Sequence, residues 1–83
     1  MRIAVFASGN GSNFEAIARE KYRRVRVVML VTDNKRAYCV ERSKRLGIPC
    51  HVFPYGEYVS KSDFEKTILE LLKRERIDAI VLA

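Results

Sequence analysis

Four short apolar runs alternate with three amphipathic segments along the chain, and this alternation restricts the fold more than any other feature. The apolar runs occupy residues 3–7, 25–31, 50–53 and 77–83. Because they are almost continuously apolar, they are typical of parallel strands that are covered on both faces. The order βαβαβαβ with right-handed crossovers predicts an α/β protein: a three-layer sandwich built on a doubly wound, Rossmann-like parallel sheet with strand order 3-2-1-4.

The three intervening segments carry apolar residues at helical spacing. The first helix is followed by a polar connection over residues 21–24. The second is predicted over about residues 37–46, with Gly47 as its C-cap. The third begins near Ser60, where Ser60 and Ser62 each have an acidic residue three positions later, the spacing of a capping box.

The loop between the first strand and the first helix reads Ser-Gly-Asn-Gly-Ser-Asn over residues 8–13. Two glycines one residue apart allow backbone angles that a Cβ would forbid, and they let a ligand approach the main chain. Ser12 or Asn13 is expected to cap the helix. The amide N–H groups of the first turn and the helix dipole favour an anion, most often a phosphate. We therefore predict a binding site at this loop, the alternative being a glycine turn that holds no ligand.

This loop departs from the common nucleotide-binding motifs. It begins like the dinucleotide fingerprint G-x-G-x-x-G, but Phe14 occupies the place of the third glycine. It also lacks the lysine of a P-loop and differs from the G-x-S-x-G of hydrolases. Asp33, near where a dinucleotide-binding fold places its ribose-binding acid, is interpreted as a strand-end turn residue. A dinucleotide- or phosphate-binding module without catalysis is the alternative function.

Composition excludes several classes of protein. The 83 residues are 48% hydrophobic and 31% charged, which is too apolar for a disordered chain. No run approaches the roughly 20 apolar residues of a membrane span, so no membrane partner is expected. The net charge of +6 lies mostly on helical segments without interleaved aromatic residues, so no nucleic-acid partner is expected either. The N-terminus has no signal-peptide pattern, which predicts a cytoplasmic location.

Four other residues with reactive side chains do not form a recognisable site. Cys39 and Cys50 do not belong to a C-x-x-C pair and are interpreted as buried, reduced thiols. His51 adjoins Cys50, but no further ligand has usable spacing, so we expect no metal; we interpret His51 as structural or solvated. Lys61, at the start of the third helix, is interpreted from its position as a solvated charge, with a ligand contact as the alternative.

Taken together, these residues resemble the N-terminal part of the phosphoribosylglycinamide formyltransferases, also called glycinamide ribonucleotide transformylases, of purine biosynthesis. The resemblance covers all 83 residues, and its specific part is the Ser-Gly-Asn-Gly-Ser-Asn string. Further matches lie at residues 3–7, at residue 14 and at residues 16–17, 41–42, 47–49, 60–61 and 78–83.

The resemblance implies an enzyme that transfers a formyl group from 10-formyltetrahydrofolate to the amine of glycinamide ribonucleotide. By this resemblance, Gly11, Ser12 and Asn13 hold the substrate phosphate and Lys61 contacts the folate cosubstrate. The family uses an Asn, a His and an Asp for the tetrahedral intermediate, and none of the three is matched within residues 1–83. We therefore expect an N-terminal part of a longer protein, cut at the fourth strand and without catalytic residues of its own. A further interpretation is a fragment whose exposed fourth strand pairs with a second copy, giving a homodimer.

Overall fold

The structure, a computed structural model, describes residues 1–20 and 22–83. Its strands are β1 (Arg2–Phe6), β2 (Arg26–Thr32), β3 (Cys50–Val52) and β4 (Ala79–Leu82). Its α-helices are α1 (Ser12–Arg19), α2 (Tyr38–Leu46) and α3 (Lys61–Arg74), and a 3-10 helix, Tyr55–Glu57, precedes α3. The predicted alternation of strands and helices is confirmed, with strand ends that differ by up to two residues.

The four strands form one parallel sheet in the order β3-β2-β1-β4, as predicted. The short β3 lies at one edge, where Pro49 and Pro54 bracket it; proline is tolerated at an edge or at a strand end because it cannot donate a ladder hydrogen bond. Because all strands run the same way, the carboxyl ends of β1 and β2 meet at one edge of the sheet. Ligands of doubly wound sheets bind at that edge.

Side chains on opposite faces of the sheet belong to two separate cores. The core beneath α1 and α2 contains Ile3, Val5, Ala7, Phe14, Leu30, Ala37 and Cys39. The core beneath α3 contains Ala4, Met29, Val31, Leu71 and Leu72. Since alternate residues of β1 enter different cores, the sheet is covered on both faces and the three-layer sandwich is confirmed.

Gly47 is confirmed as the C-cap of α2 and Ser60 as the N-cap of α3, whereas the predicted cap at Ser62 is wrong. Gly47 ends α2 in the left-handed conformation, with φ 71°. The Ser60 side chain accepts a hydrogen bond from the Asp63 N–H at 3.2 Å, which caps α3. Ser62 is not a cap, because it is already the second residue of the helix.

The prediction that Ser12 or Asn13 caps α1 is wrong. Gly11 occupies the N-cap position with φ 84° and ψ 14°, and no side chain caps this helix. A capping side chain belongs to the residue just before the helix, from which its oxygen accepts a hydrogen bond from an N–H of the first turn. Ser12 and Asn13 are already helical and do not occupy that position.

The polar connection predicted over residues 21–24 is described only in part. Residue 21 lies outside the described part of the chain, and residues 23–24 form a turn in which Arg24 has φ 67°.

Over residues 1–20 and 22–83, we find no helix with both the length and the apolar character needed to cross a bilayer.

Candidate anion-binding site

The predicted anion-binding residues lie together at the carboxyl edge of the sheet. Gly11 precedes α1, and Ser12 and Asn13 are its first two residues, both exposed. The first intrahelical hydrogen bond runs from the Glu15 N–H to the Gly11 carbonyl oxygen at 2.9 Å. The backbone N–H groups ahead of Glu15 therefore have no acceptor within the helix and are available to an anion.

Gly11 is required by both its conformation and its surroundings. Its φ of 84° is a left-handed value that glycine adopts at little cost. A Cβ added there would lie 2.5 Å from the Cβ of Cys39 and 2.8 Å from its Cα. At Gly9 an added Cβ would meet nothing within 4 Å, so the predicted need for a bare backbone applies to Gly11 rather than to both glycines.

Contacts from α2 hold the loop in place. The Cys39 N–H donates to the Gly9 carbonyl oxygen at 3.2 Å. The Arg42 Nε donates to the Asn10 carbonyl oxygen at 2.8 Å, and its Nη2 donates to the Asn10 Oδ1 at 2.6 Å. The sequence predicts no role for Arg42, because Asn10 and Arg42 are 32 positions apart and no local pattern indicates that they meet. The only signal was that Arg42 belongs to one of the segments that match the family.

A carboxylate lies in the first turn of α1, beside the exposed N–H groups. Glu15 pairs with Arg19 at 2.8 Å and with Arg42 at 2.9 Å. Hydrogen bonds from Arg19 and Arg42 lower the pKa of Glu15 below its ordinary value, so it stays ionised. Both arginines also offset its negative charge, which would otherwise oppose an anion at the same helix end.

A cleft of about 250 Å³ lies between the loop and α3 at the carboxyl edge of the sheet. Its lining includes Phe6, Ser8, Thr32, Asp33, Phe53 and Phe64. Asp33 is exposed in the turn after β2, in agreement with its predicted role as a turn residue. In the same turn the Asn34 Oδ1 accepts a hydrogen bond from the Arg36 N–H at 2.9 Å.

Lys61 is the first residue of α3 and is exposed. Its Nζ is 3.9 Å from the Glu65 Oε1, in a pair whose side chains are 74% and 58% exposed. Because α3 covers the other face of the sheet from α1, the structure does not bring Lys61 into the same cluster as Gly11. Phe64, three residues after Lys61, lines the cleft, whereas Lys61 is not among the lining residues.

The other reactive side chains lie away from the loop or inside the core. Cys39 is fully buried and Cys50 only partly, because β3 is an edge strand; both are free thiols, as predicted. Burial raises the pKa of the Cys50 thiol, which keeps it protonated and unreactive at neutral pH. His51 is partly buried in β3. Within the described residues, no group of three or more His, Cys, Asp or Glu side chains could hold a metal ion.

The parallel order β3-β2-β1-β4, with a glycine loop where the central strand β1 meets α1, defines a doubly wound α/β protein. The chain belongs to the formyl transferase family, whose model matches residues 1–83.

Individual relatives share both sequence and fold with this chain. A phosphoribosylglycinamide formyltransferase of Bacillus subtilis (strain 168) is 40% identical over 85 residues, which cover 99% of this chain and 44% of the relative. The crystal structure of glycinamide ribonucleotide transformylase 1 from Geobacillus kaustophilus has a TM-score of 0.91 at 45% identity, covering 98% of this chain and 45% of that one. The phosphoribosylglycinamide formyltransferase from Bacillus halodurans has a TM-score of 0.93 at 38% identity, covering 100% and 44%.

These relatives confirm the predicted resemblance and fold class. The chain spans less than half the length of each of the three, and the match lies over nearly all of its own residues.

Proposed function

We propose that the protein containing this chain is a phosphoribosylglycinamide formyltransferase of de novo purine biosynthesis, acting in the cytoplasm. It transfers the formyl group of 10-formyltetrahydrofolate to the amine of glycinamide ribonucleotide. The names of the relatives support this activity over a dinucleotide-binding module without catalysis. Phe14 also opposes the dinucleotide alternative, since a fully buried phenylalanine stands where that motif needs its third glycine.

The observation that carries the proposal is the amino end of α1, where Gly11 is the N-cap and the first two helical residues, Ser12 and Asn13, are exposed. In our proposal the backbone N–H groups of Gly11, Ser12 and Asn13 donate to the phosphate oxygens of glycinamide ribonucleotide. The partial positive charge of the helix end adds to these hydrogen bonds. The role of residues 1–83 is thus to bind and orient the substrate through its phosphate.

Lys61 is the proposed contact to the folate cosubstrate. Folates carry carboxylates, and Lys61 is exposed three residues before Phe64, which lines the cleft. The Lys61 Nζ lies 3.9 Å from the Glu65 Oε1, too far for a direct hydrogen bond. The ammonium group is therefore able to pair with a carboxylate of the donor.

Formyl transfer itself needs groups that we do not assign to residues 1–83. The substrate amine attacks the formyl carbon, and the tetrahedral intermediate carries an oxyanion that must be stabilised. The intermediate then collapses as the bond from the formyl carbon to N10 breaks, N10 takes up a proton, the amine loses one, and tetrahydrofolate leaves. We propose that these residues are the N-terminal part of a larger formyltransferase domain and that the catalytic Asn, His and Asp lie in the remainder. Ile80 and Leu82 of β4 are exposed, and we expect the remainder of the domain or a second copy in a homodimer to cover them.

The substitution Asn13→Asp in the full-length protein tests the phosphate loop. It adds a negative charge at the second residue of α1, where the helix dipole favours an acidic side chain, so the free energy of unfolding should be unchanged or slightly higher. The same charge should repel the phosphate and raise the Kd for glycinamide ribonucleotide, measured calorimetrically, by roughly tenfold or more.

The matched control is Ser62→Asp, which places the same charge at the second residue of α3. We expect it to leave the Kd for glycinamide ribonucleotide within about twofold of the wild-type value. Equal Kd values for wild type and Asn13→Asp would refute the phosphate role of this loop.

A further inference from the structure

Arg42 of α2 makes several contacts with residues 8–13, which we call the anion loop, and with the first turn of α1. Its position in the sequence does not predict these contacts. Its side chain is only 18% exposed, and each of its three nitrogens donates a hydrogen bond. Two of these bonds go to the carbonyl and the side chain of Asn10, and the third goes to Glu15. The guanidinium carbon also lies 4.9 Å from the centroid of the Tyr38 ring, a cation–π distance.

These contacts fix the loop on both sides of Gly11. Asn10 directly precedes Gly11, and Glu15 accepts from Arg42 one turn into α1. The planar guanidinium therefore connects the last residue before the left-handed glycine to the first turn of the helix. Lysine offers one point charge in place of this rigid fork, so it cannot hold Asn10 and Glu15 in the same geometry.

Arg42 also changes the electrostatics of the helix end. Glu15 is the acidic side chain of the first turn, and a carboxylate there competes with any anion for the positive end of the dipole. Arg19 also pairs with Glu15, but its side chain is 67% exposed, against 18% for Arg42. Arg19 lowers the pKa of Glu15 most and Arg42 next, so the two arginines share the compensation of its charge, and Arg42 also bonds to Asn10.

We infer that Arg42 is a positioning residue for substrate phosphate: it holds Asn10 and, together with Arg19, neutralises Glu15, so that the N–H groups of Gly11, Ser12 and Asn13 face the anion. Three of its five guanidinium N–H groups donate to the protein, so the contacts in the structure are those of a residue that positions the loop. This inference rests on the proposed function, in which those N–H groups bind the phosphate of glycinamide ribonucleotide.

The test compares Arg42→Ala with Arg42→Lys in the full-length protein. Arg42→Ala should raise both the Kd and the KM for glycinamide ribonucleotide by roughly 10- to 100-fold, the range for lost hydrogen bonds of a charged group. We expect kcat at saturating substrate to stay within about threefold, since the loss is one of binding. Arg42→Lys should give a Kd between those of the wild type and Arg42→Ala. If Arg42→Ala fails to fold, the Kd of Arg42→Lys alone tests the inference.

Two further variants separate positioning from direct contact. Adding Glu15→Gln to Arg42→Ala removes a carboxylate that has lost one of its two hydrogen-bonded arginines, and it should lower the Kd by a larger factor than Glu15→Gln does in the wild-type protein. If Arg42 touched the phosphate directly, Glu15→Gln would change the Kd by the same factor in both backgrounds, and that result would overturn the inference. Arg45→Ala is the matched control: Arg45 lies 3.9 Å from Glu15 and is 58% exposed, so its loss should change the Kd by less than about twofold.

Failure of this inference differs from failure of the proposed function. If Arg42→Ala and Arg42→Lys leave the Kd unchanged while Asn13→Asp raises it, the loop binds phosphate without help from Arg42. If Asn13→Asp also leaves the Kd unchanged, the proposed phosphate loop is wrong and the inference falls with it.

Discussion

The anion loop and the start of α3 lie at the same edge of the sheet, but they are held by different kinds of contact. The loop is held by α2, whose Cys39 and Arg42 reach Gly9 and Asn10 from about thirty residues later in the chain. The start of α3 is held mainly by its own first turn. Its cap is the bond between Ser60 and Asp63, and the preceding Val59 is 96% exposed.

This difference indicates different uses of the two regions. A backbone fixed by long-range contacts is already ordered before a ligand arrives, so less conformational entropy is lost on binding. Such a region suits a phosphate, which needs several N–H groups in one fixed arrangement. An exposed lysine on a locally capped helix end can instead adjust to its ligand, at the cost of weaker binding.

The largest expected effect comes from breaking the contact between the loop and α2. Gly11→Ala places a Cβ 2.5 Å from that of Cys39 in a backbone with φ 84°. We expect a loss of about 3 kcal/mol in the free energy of unfolding, from overpacking together with left-handed strain. Urea denaturation of the full-length protein measures it, and affinity for glycinamide ribonucleotide should fall as well.

Gly9→Ala is the control for this prediction. Its added Cβ meets no atom within 4 Å, so we expect the free energy of unfolding to change by less than about 1 kcal/mol. If the two alanine variants were equally stable, the close contact between Gly11 and α2 would not exist in solution.

Much of the fold could be predicted from the sequence because it depends on local patterns. The apolar runs identified the strands, and their alternation with helices led to the order 3-2-1-4. Gly47 and Ser60 marked helix ends correctly, since a left-handed glycine and a serine cap act within one turn. The cap of α1 was predicted wrongly because serine and asparagine follow a glycine there, and the glycine takes the cap position itself.

The candidate site could be located from the sequence but not explained by it. The β1–α1 loop was predicted to carry the site because a glycine loop before a helix is a recognisable local signal. The reason that Gly11 must be glycine lies in Cys39, and the ordering of Asn10 lies in Arg42. Those contacts depend on how α2 packs beside α1, which no local pattern in the sequence specifies.

A smaller effect, dependent on pH, should appear at the loop. The pKa of Glu15 is lowered in the folded state from an ordinary value of 4.5, so its stabilising contribution is complete above that pH. It is lost as the pH falls through the lowered folded value. We expect Glu15→Gln to have a lower denaturation midpoint than wild type at pH 7, and the two midpoints to converge as the pH falls through the lowered pKa of Glu15.

The control at the start of α3 is Glu65→Gln. Its carboxylate is 58% exposed and lies 3.9 Å from Lys61, so we expect a change within about 0.5 kcal/mol at pH 7. If the difference in denaturation midpoint between wild type and Glu15→Gln did not narrow as the pH was lowered below 4.5, the ion pairs of Glu15 would be contradicted.

The smallest effect is expected for Lys61→Gln. Because Lys61 is 74% exposed and only loosely paired, the free energy of unfolding should change by less than about 0.5 kcal/mol. If Lys61 contacts the folate cosubstrate, Lys61→Gln should raise the KM for 10-formyltetrahydrofolate up to roughly fivefold, the range for an exposed ion pair. The KM for glycinamide ribonucleotide should be unchanged. Lys66→Gln, an exposed lysine of the same helix, is the matched control, and steady-state kinetics of the full-length protein measure both. Identical kinetics for the two variants would mean that Lys61 is a solvated charge, as its position alone predicts.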